Sequence, residues 1–134
     1  MTKRQKRKKF YEPHVRLHHW MLKSEAWKSL TTQSRAVLIE IYARYNGTNN
    51  ARISLSAREA AQLCKISKDT ATRSFRELQE KGFIALETPG SFDRKVPHAA
   101  EWRLTEHRDD LNNKMPSRDF MNWRPAKKLE PGPE

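Results

Sequence analysis

The sequence predicts a mainly α fold of the α+β kind, a three-helix core carrying a two- to three-stranded sheet. Three observations lead there. Apolar residues recur at helical spacing in successive segments near Thr32–Tyr45, Ser56–Lys65 and Lys68–Lys81. Each segment opens on a residue that can cap a helix and ends in turn chemistry. Two short alternating segments, Phe83–Glu87 and Ala100–Thr105, follow as strands.

The first long helix is capped by Thr31 or Thr32. Val37, Leu38, Ile41, Tyr42 and Tyr45 make its core stripe, and Asn46-Gly47 stops it. A polar loop, GTNNAR, leads to Ile53–Leu55, a short strand. Ser56 and Glu59 stand three apart, the spacing of a capping box. Ala60, Ala61, Leu63 and Cys64 supply the buried face of the helix they open, and Lys65-Ile66 is a turn. Ser67 caps the next helix, and Asp69 places negative charge in its first turn, where the helix dipole favours it. Ala71, Phe75 and Leu78 line one face of that helix, with small Ser74 beside them. Asp69, Thr72, Arg73, Arg76 and Glu80 line the other. Gly82 ends it. The expected core is Val37, Leu38, Ile41, Leu63, Phe75, Leu78, Ile84 and Trp102.

Outside these elements the reading is coarser. Residues 1–13 form a basic arm with no apolar periodicity, expected to be disordered alone. The body spans 14–107 and begins with a Trp-rich leader. There Val15, Leu17 and His19 alternate as in a short strand, and Trp20, Met21 and Leu22 form an apolar knot. Residues 108–134 are a polar, partly disordered tail from which Leu111, Met115, Phe120, Met121 and Trp123 can dock in pieces.

The chain carries 27 Lys/Arg against 16 Asp/Glu, a formal net charge of +11. Six cations and one acid fall within residues 1–13, so nearly half of the surplus sits in the arm. Such a surplus favours a polyanionic partner, because neutralised phosphates release condensed counterions. The single cysteine, Cys64, rules out a disulfide within the chain and a four-cysteine zinc site; it reads as a small core residue. His14 and His18 are four apart, but that spacing pairs ligands only on a helix, and Pro13 precedes them. There is no glycine-rich phosphate loop and no nucleophile in a recognisable strand-turn context. No catalytic residue, metal or cofactor is expected, and the chain reads as a binding protein rather than an enzyme. No apolar run approaches a membrane span. A cytoplasmic setting fits, nucleoid-associated if the source is bacterial.

The stretch LSAREAAQLCKISKDTATRSFRELQEKGFI, with its Ala60-Ala61-x-Leu63 helix end, Ser67-x-x-Thr70 turn and Arg76–Ile84 tail, resembles the winged helix-turn-helix DNA-binding domains of bacterial transcription regulators and of plasmid or phage replication proteins. The similarity runs from about Thr31 to Thr105. It implies double-stranded DNA as partner, with the helix near 68–81 in the major groove and the two strands as a wing.

Arg73 and Arg76 are then the leading candidates for base contact, since an arginine can fork two hydrogen bonds to guanine. Their alternative is a solvated face with Arg73 paired to Glu77 and Arg76 to Glu80. Ser67, Lys68, Thr70 and Thr72 occupy the first turns and suit phosphates better than bases. Arg94 and Lys95 sit near the wing tip. Lys3, Arg4, Lys6, Arg7, Lys8 and Lys9 form the arm, read either as a solvated tail or as a sequence-independent contact to DNA. Arg58, early in the second helix, is a further candidate for the backbone. Transcription regulation is the leading reading. A DNA-processing role in replication initiation or recombination is the alternative, and a protein-interaction module is the third. A homodimer on paired half-sites is the expected assembly.

Overall fold

The computed structural model describes residues 12–91 and 98–126. Among them run α1 (His19–Leu22), α2 (Glu25–Ser29), α3 (Thr32–Arg44), β1 (Ile53–Ser54), α4 (Ala57–Cys64), α5 (Lys68–Glu80), β2 (Ile84–Thr88) and β3 (Glu101–Leu104), followed by a 3-10 turn at Asp119–Asn122. The fold is mixed α+β, five helices and a small three-stranded antiparallel sheet in the order β1-β3-β2. The strands sit slightly inside or beside the segments that alternation alone marks out.

Local chemistry explains the helix starts. Thr31 Oγ1 accepts from the Ser34 amide at 3.2 Å, and Ser67 Oγ from the Thr70 amide at 3.1 Å. Ser56 and Glu59 complete the reciprocal capping box. The turn between α4 and α5 places Lys65 in the left-handed region, φ 56°, and lets the Ile66 amide donate to Ala61 O at 3.0 Å. That backbone costs a non-glycine residue about 1–2 kcal/mol, so packing of the two helices must hold it.

The core lies where α3, α4 and α5 meet the inner face of the sheet. Val37, Leu38, Ile41, Leu78 and Leu104 are wholly buried, and Phe75, Ile84 and Trp102 nearly so. The Phe75 ring lies parallel to Trp102, with centroids 4.7 Å apart. Register explains the sheet's share: Ile84 opposes Leu104, and Ile53 opposes Trp102, so each pair points to one face.

Two expectations are corrected. Leu63 is 48% exposed rather than core. The packed face of α4 runs through Ala57, Ala60, Ala61 and Cys64, and at about 100° per residue Leu63 lies well off that stripe. Cys64 itself is only partly buried. The leader is not a strand either. Residues 12–18 are irregular, Val15 is exposed, and the chain then closes a short helix in which Met21 and Leu22 amides donate to His18 O. Met21 is the member of the apolar knot that is fully buried.

Packing also continues beyond His107. Phe120 is buried and stacks on Phe83 at 4.9 Å and on Trp20 at 5.9 Å. Its amide donates to Gly82 O at 3.1 Å. Gly82 has φ +83°, and a Cβ there would lie 2.7 Å from the Asp119 carbonyl carbon and the Phe120 nitrogen. Glycine is needed at this helix end both for its backbone angle and for the tail's approach. Leu111, Met115 and Met121 remain exposed. No helix among the described residues is long and apolar enough to cross a membrane.

Candidate nucleic-acid interface

Helix α5 decides which side chains are offered outward. Ala71, Ser74, Phe75 and Leu78 face the core. Helical periodicity then turns Lys68, Asp69, Thr72, Arg73, Arg76, Gln79 and Glu80 to solvent, and all seven are exposed. The face is therefore mixed, with two arginines along its middle and an acid near each end.

The arginines are held differently from the expected surface pairs. Arg73 Nη2 donates to Thr70 Oγ1 at 3.2 Å, and Thr70 Oγ1 also accepts from Ser67 Oγ at 2.8 Å. Three of the candidate residues thus form one hydroxyl-guanidinium chain at the start of α5. Thr72 Oγ1 turns back to Lys68 O at 3.0 Å. Arg76 has no ion pair among the described residues, and the Arg76–Glu80 pair is not formed.

The Arg73–Glu77 pair is not formed because Glu77 is engaged elsewhere. Its Oε1 accepts from the Thr31 amide and hydroxyl, both at 3.1 Å, and its Oε2 from Lys81 Nζ at 3.0 Å. Burial alone would raise this carboxyl's pKa. The donors from Ser34, Lys81 and Thr31 outweigh it and hold the group below the usual range. Lys81 also donates to Ser29 O at 3.1 Å and sits over the Trp123 ring.

Grooves flank α5 on either side. One of about 340 Å³, between α5 and the start of α3, is lined by Thr31, Gln33, Thr70, Arg73 and Glu77. Another of about 300 Å³, between α5 and the sheet, is lined by Thr72, Phe75, Arg76, Gln79 and Trp102. Arg73 and Arg76 therefore lean to opposite flanks of one helix. A third hollow of about 400 Å³ joins Arg58 and Glu59 of α4, Lys68 of α5, and His98 beside β3. His98 had no place in the sequence reading. Its signal was its position next to the cationic wing segment.

Arg94 and Lys95 lie outside the described residues, as do Lys3, Arg4, Lys6, Arg7, Lys8 and Lys9. The structure brings together Ser67, Lys68, Thr70, Thr72, Arg73 and Arg76 on one helix and its cap, with Arg58 adjacent.

A second polar centre lies elsewhere, under the leader. Glu106 is buried, accepts from the Tyr42 hydroxyl, and has His18 Nε2 at 3.3 Å and His107 Nε2 at 3.5 Å. Burial and the Glu106 carboxylate push the Tyr42 phenol far above its ordinary range. Burial lowers the His107 pKa despite Glu106 nearby. His14 and His18 stand on irregular backbone, not on a common helix.

Comparisons with known protein families, with curated proteins and with solved structures found no match.

Proposed function

We propose that this chain is a winged helix-turn-helix protein that binds double-stranded DNA sequence-specifically, as a bacterial-type transcription regulator acting in the cytoplasm. The observation that carries the reading is the outward face of α5: Thr72, Arg73 and Arg76 are exposed, and neither arginine has an ion pair among the described residues. The surrounding arrangement supports it. A three-helix core precedes two antiparallel strands, and the cations Arg58 and Lys68 border the hollow that Ser91 and His98 line at the loop end of those strands. A major groove is wide enough to admit a helix, and exposed guanidinium groups there meet guanine O6 and N7. The net charge of +11 supplies the sequence-independent attraction.

The test is selection of bound duplexes from a random pool, then titration of selected and random duplexes with Arg73→Ala and Arg76→Ala. Each arginine that reads a base is worth about 1–3 kcal/mol of discrimination. The expected result is a smaller ratio of selected-site to random-site affinity in both variants. If both keep the wild-type ratio, α5 does not read sequence.

A further inference from the structure

The charge pattern of α5 contains a competition. Glu77 stands four residues after Arg73 and four before Lys81, and both cations are helix-surface neighbours of its carboxylate. An acid followed by a base is the better order for such a pair, since it agrees with the helix dipole. Lys81 meets that order and Arg73 does not. The structure has Glu77 Oε2 on Lys81 at 3.0 Å, with Oε1 drawn to Thr31 at the start of α3. Arg73 lines the same groove as Glu77 yet, among the described residues, bonds the neutral Thr70 hydroxyl and no acid.

From this we infer that Lys81 is a positioning residue: by holding Glu77 against α3 it keeps the Arg73 guanidinium free for a DNA partner. The inference rests on the reading of α5 as the DNA-contacting helix. Lys81 is itself well covered, its side chain only 15% exposed. Its removal acts through Glu77: the released oxygen can turn to Arg73, which has the exposed Asp69 four residues before it but forms no ion pair with it among the described residues. An Arg73–Glu77 pair then has to break before Arg73 can reach DNA, and the freed carboxylate faces the phosphates.

The test uses the full chain with Lys81→Met, which keeps the length of the aliphatic stem and removes only the ammonium, with its bonds to Glu77 and Ser29 and its place over Trp123. Affinity for a selected duplex is measured in the wild-type and Arg73→Ala backgrounds. Breaking a helix-surface pair of this kind corresponds to about a twofold loss. Lys81→Met is expected to lose that factor in the wild-type background and clearly less in Arg73→Ala. Adding Glu77→Gln to Lys81→Met should restore affinity. A second readout needs no DNA. The Arg73 Nε–H resonance of the free protein, identified by its loss in Arg73→Ala, should shift in Lys81→Met and return in the double variant. Equal losses from Lys81→Met in both backgrounds, or an unmoved resonance, overturn the inference. If Arg73→Ala leaves DNA binding unchanged while the resonance shifts as described, the α5 reading fails and the exchange of partners stands.

Discussion

Asn50 offers the sharpest test of how this fold is held. It is fully buried in what composition suggests is a polar loop. β1 is only two residues long and pairs with Trp102 and Glu101 of β3, so the inner edge of Leu104 is left without a strand neighbour. The Asn50 side chain takes that place. Its Oδ1 accepts from the Leu104 amide at 2.7 Å, and its Nδ2 donates to Leu104 O at 2.9 Å. The same Nδ2 reaches His107 O at 3.2 Å and Arg108 O at 2.8 Å, drawing the chain after β3 back over the sheet. Asn50→Leu keeps the volume and removes every one of these bonds. The two Leu104 groups are buried and become orphans at about 1–3 kcal/mol each, whereas the other carbonyls can meet water. The expected loss is about 4 kcal/mol, a large part of a domain's ordinary stability of about 5–15 kcal/mol. At about 4 °C per kcal/mol this lowers Tm by about 15 °C. Urea unfolding followed by circular dichroism measures it, with an unchanged m-value showing that the same surface is exposed. A loss under about 1 kcal/mol would mean that the side chain is not completing the ladder and that the argument is wrong.

Other perturbations test other links. Gly82→Ala should cost more than the roughly 1–2 kcal/mol of a strained φ, because its Cβ meets tail backbone; a Tm unchanged within error refutes the close approach. Phe75→Ala should destabilise by about 3–5 kcal/mol, measured by the same urea titration. Asp109 is buried, which alone would raise its pKa, but the Asn112 and Leu111 amides and Arg103 hold it below the ordinary range. A depressed folded-state pKa contributes stability above the unfolded value near pH 4, and that contribution is lost as pH falls through the folded value. Asp109→Asn should therefore lower stability at pH 7, approach wild type as pH falls through the folded value, and flatten the acid limb of the stability curve. Deleting residues 1–9 should weaken selected and random duplexes by similar factors and reduce the salt slope; a loss confined to the selected duplex refutes a sequence-independent arm.

Much of the helical framework is legible because it is locally encoded. Ser56 and Ser67 each satisfy an amide within three residues, so their roles follow from spacing alone, whereas spacing leaves Thr31 and Thr32 open and the structure gives the cap to Thr31. The burial of Phe75 and Leu78 follows from periodicity over a 13-residue helix. Periodicity fails on α4 because eight residues give only two turns, and the small Ala57–Ala60–Ala61 face outweighs the larger Leu63. Asn50 and the seat of the tail are illegible for a different reason. The tail's apolar residues announce that pieces of it can dock, but the partners lie more than fifty and more than thirty residues away, at Leu104 and at Gly82, and no local pattern names them. The candidate interface falls between these cases. The outward direction of Arg73 and Arg76 is a matter of helix phase. Which acid each would meet depends on α3, whose Thr31 lies 46 residues from Glu77.

The two ends of α5 are fixed by opposite kinds of chemistry, and this bears on how the helix would work. At its C-terminal end, Gly82 lies under the tail, Phe83 and Phe120 stack, and Trp27 meets Phe83 edge-on at 6.3 Å. Stacked rings desolvated in this way resist displacement, so the helix end is anchored by apolar area. At its N-terminal end there is a cap, a hydroxyl chain through Ser67 and Thr70, and the exposed Lys68. Those groups trade hydrogen bonds with water at little net free energy, and can trade them again for phosphate oxygens. The described part of the tail therefore braces the C-terminal end of α5 through Phe120. Phe120→Ala should change affinity for selected and random duplexes through the placement of α5, in step with its loss of thermal stability. A variant that lost DNA affinity at unchanged Tm would instead put the tail in contact with DNA.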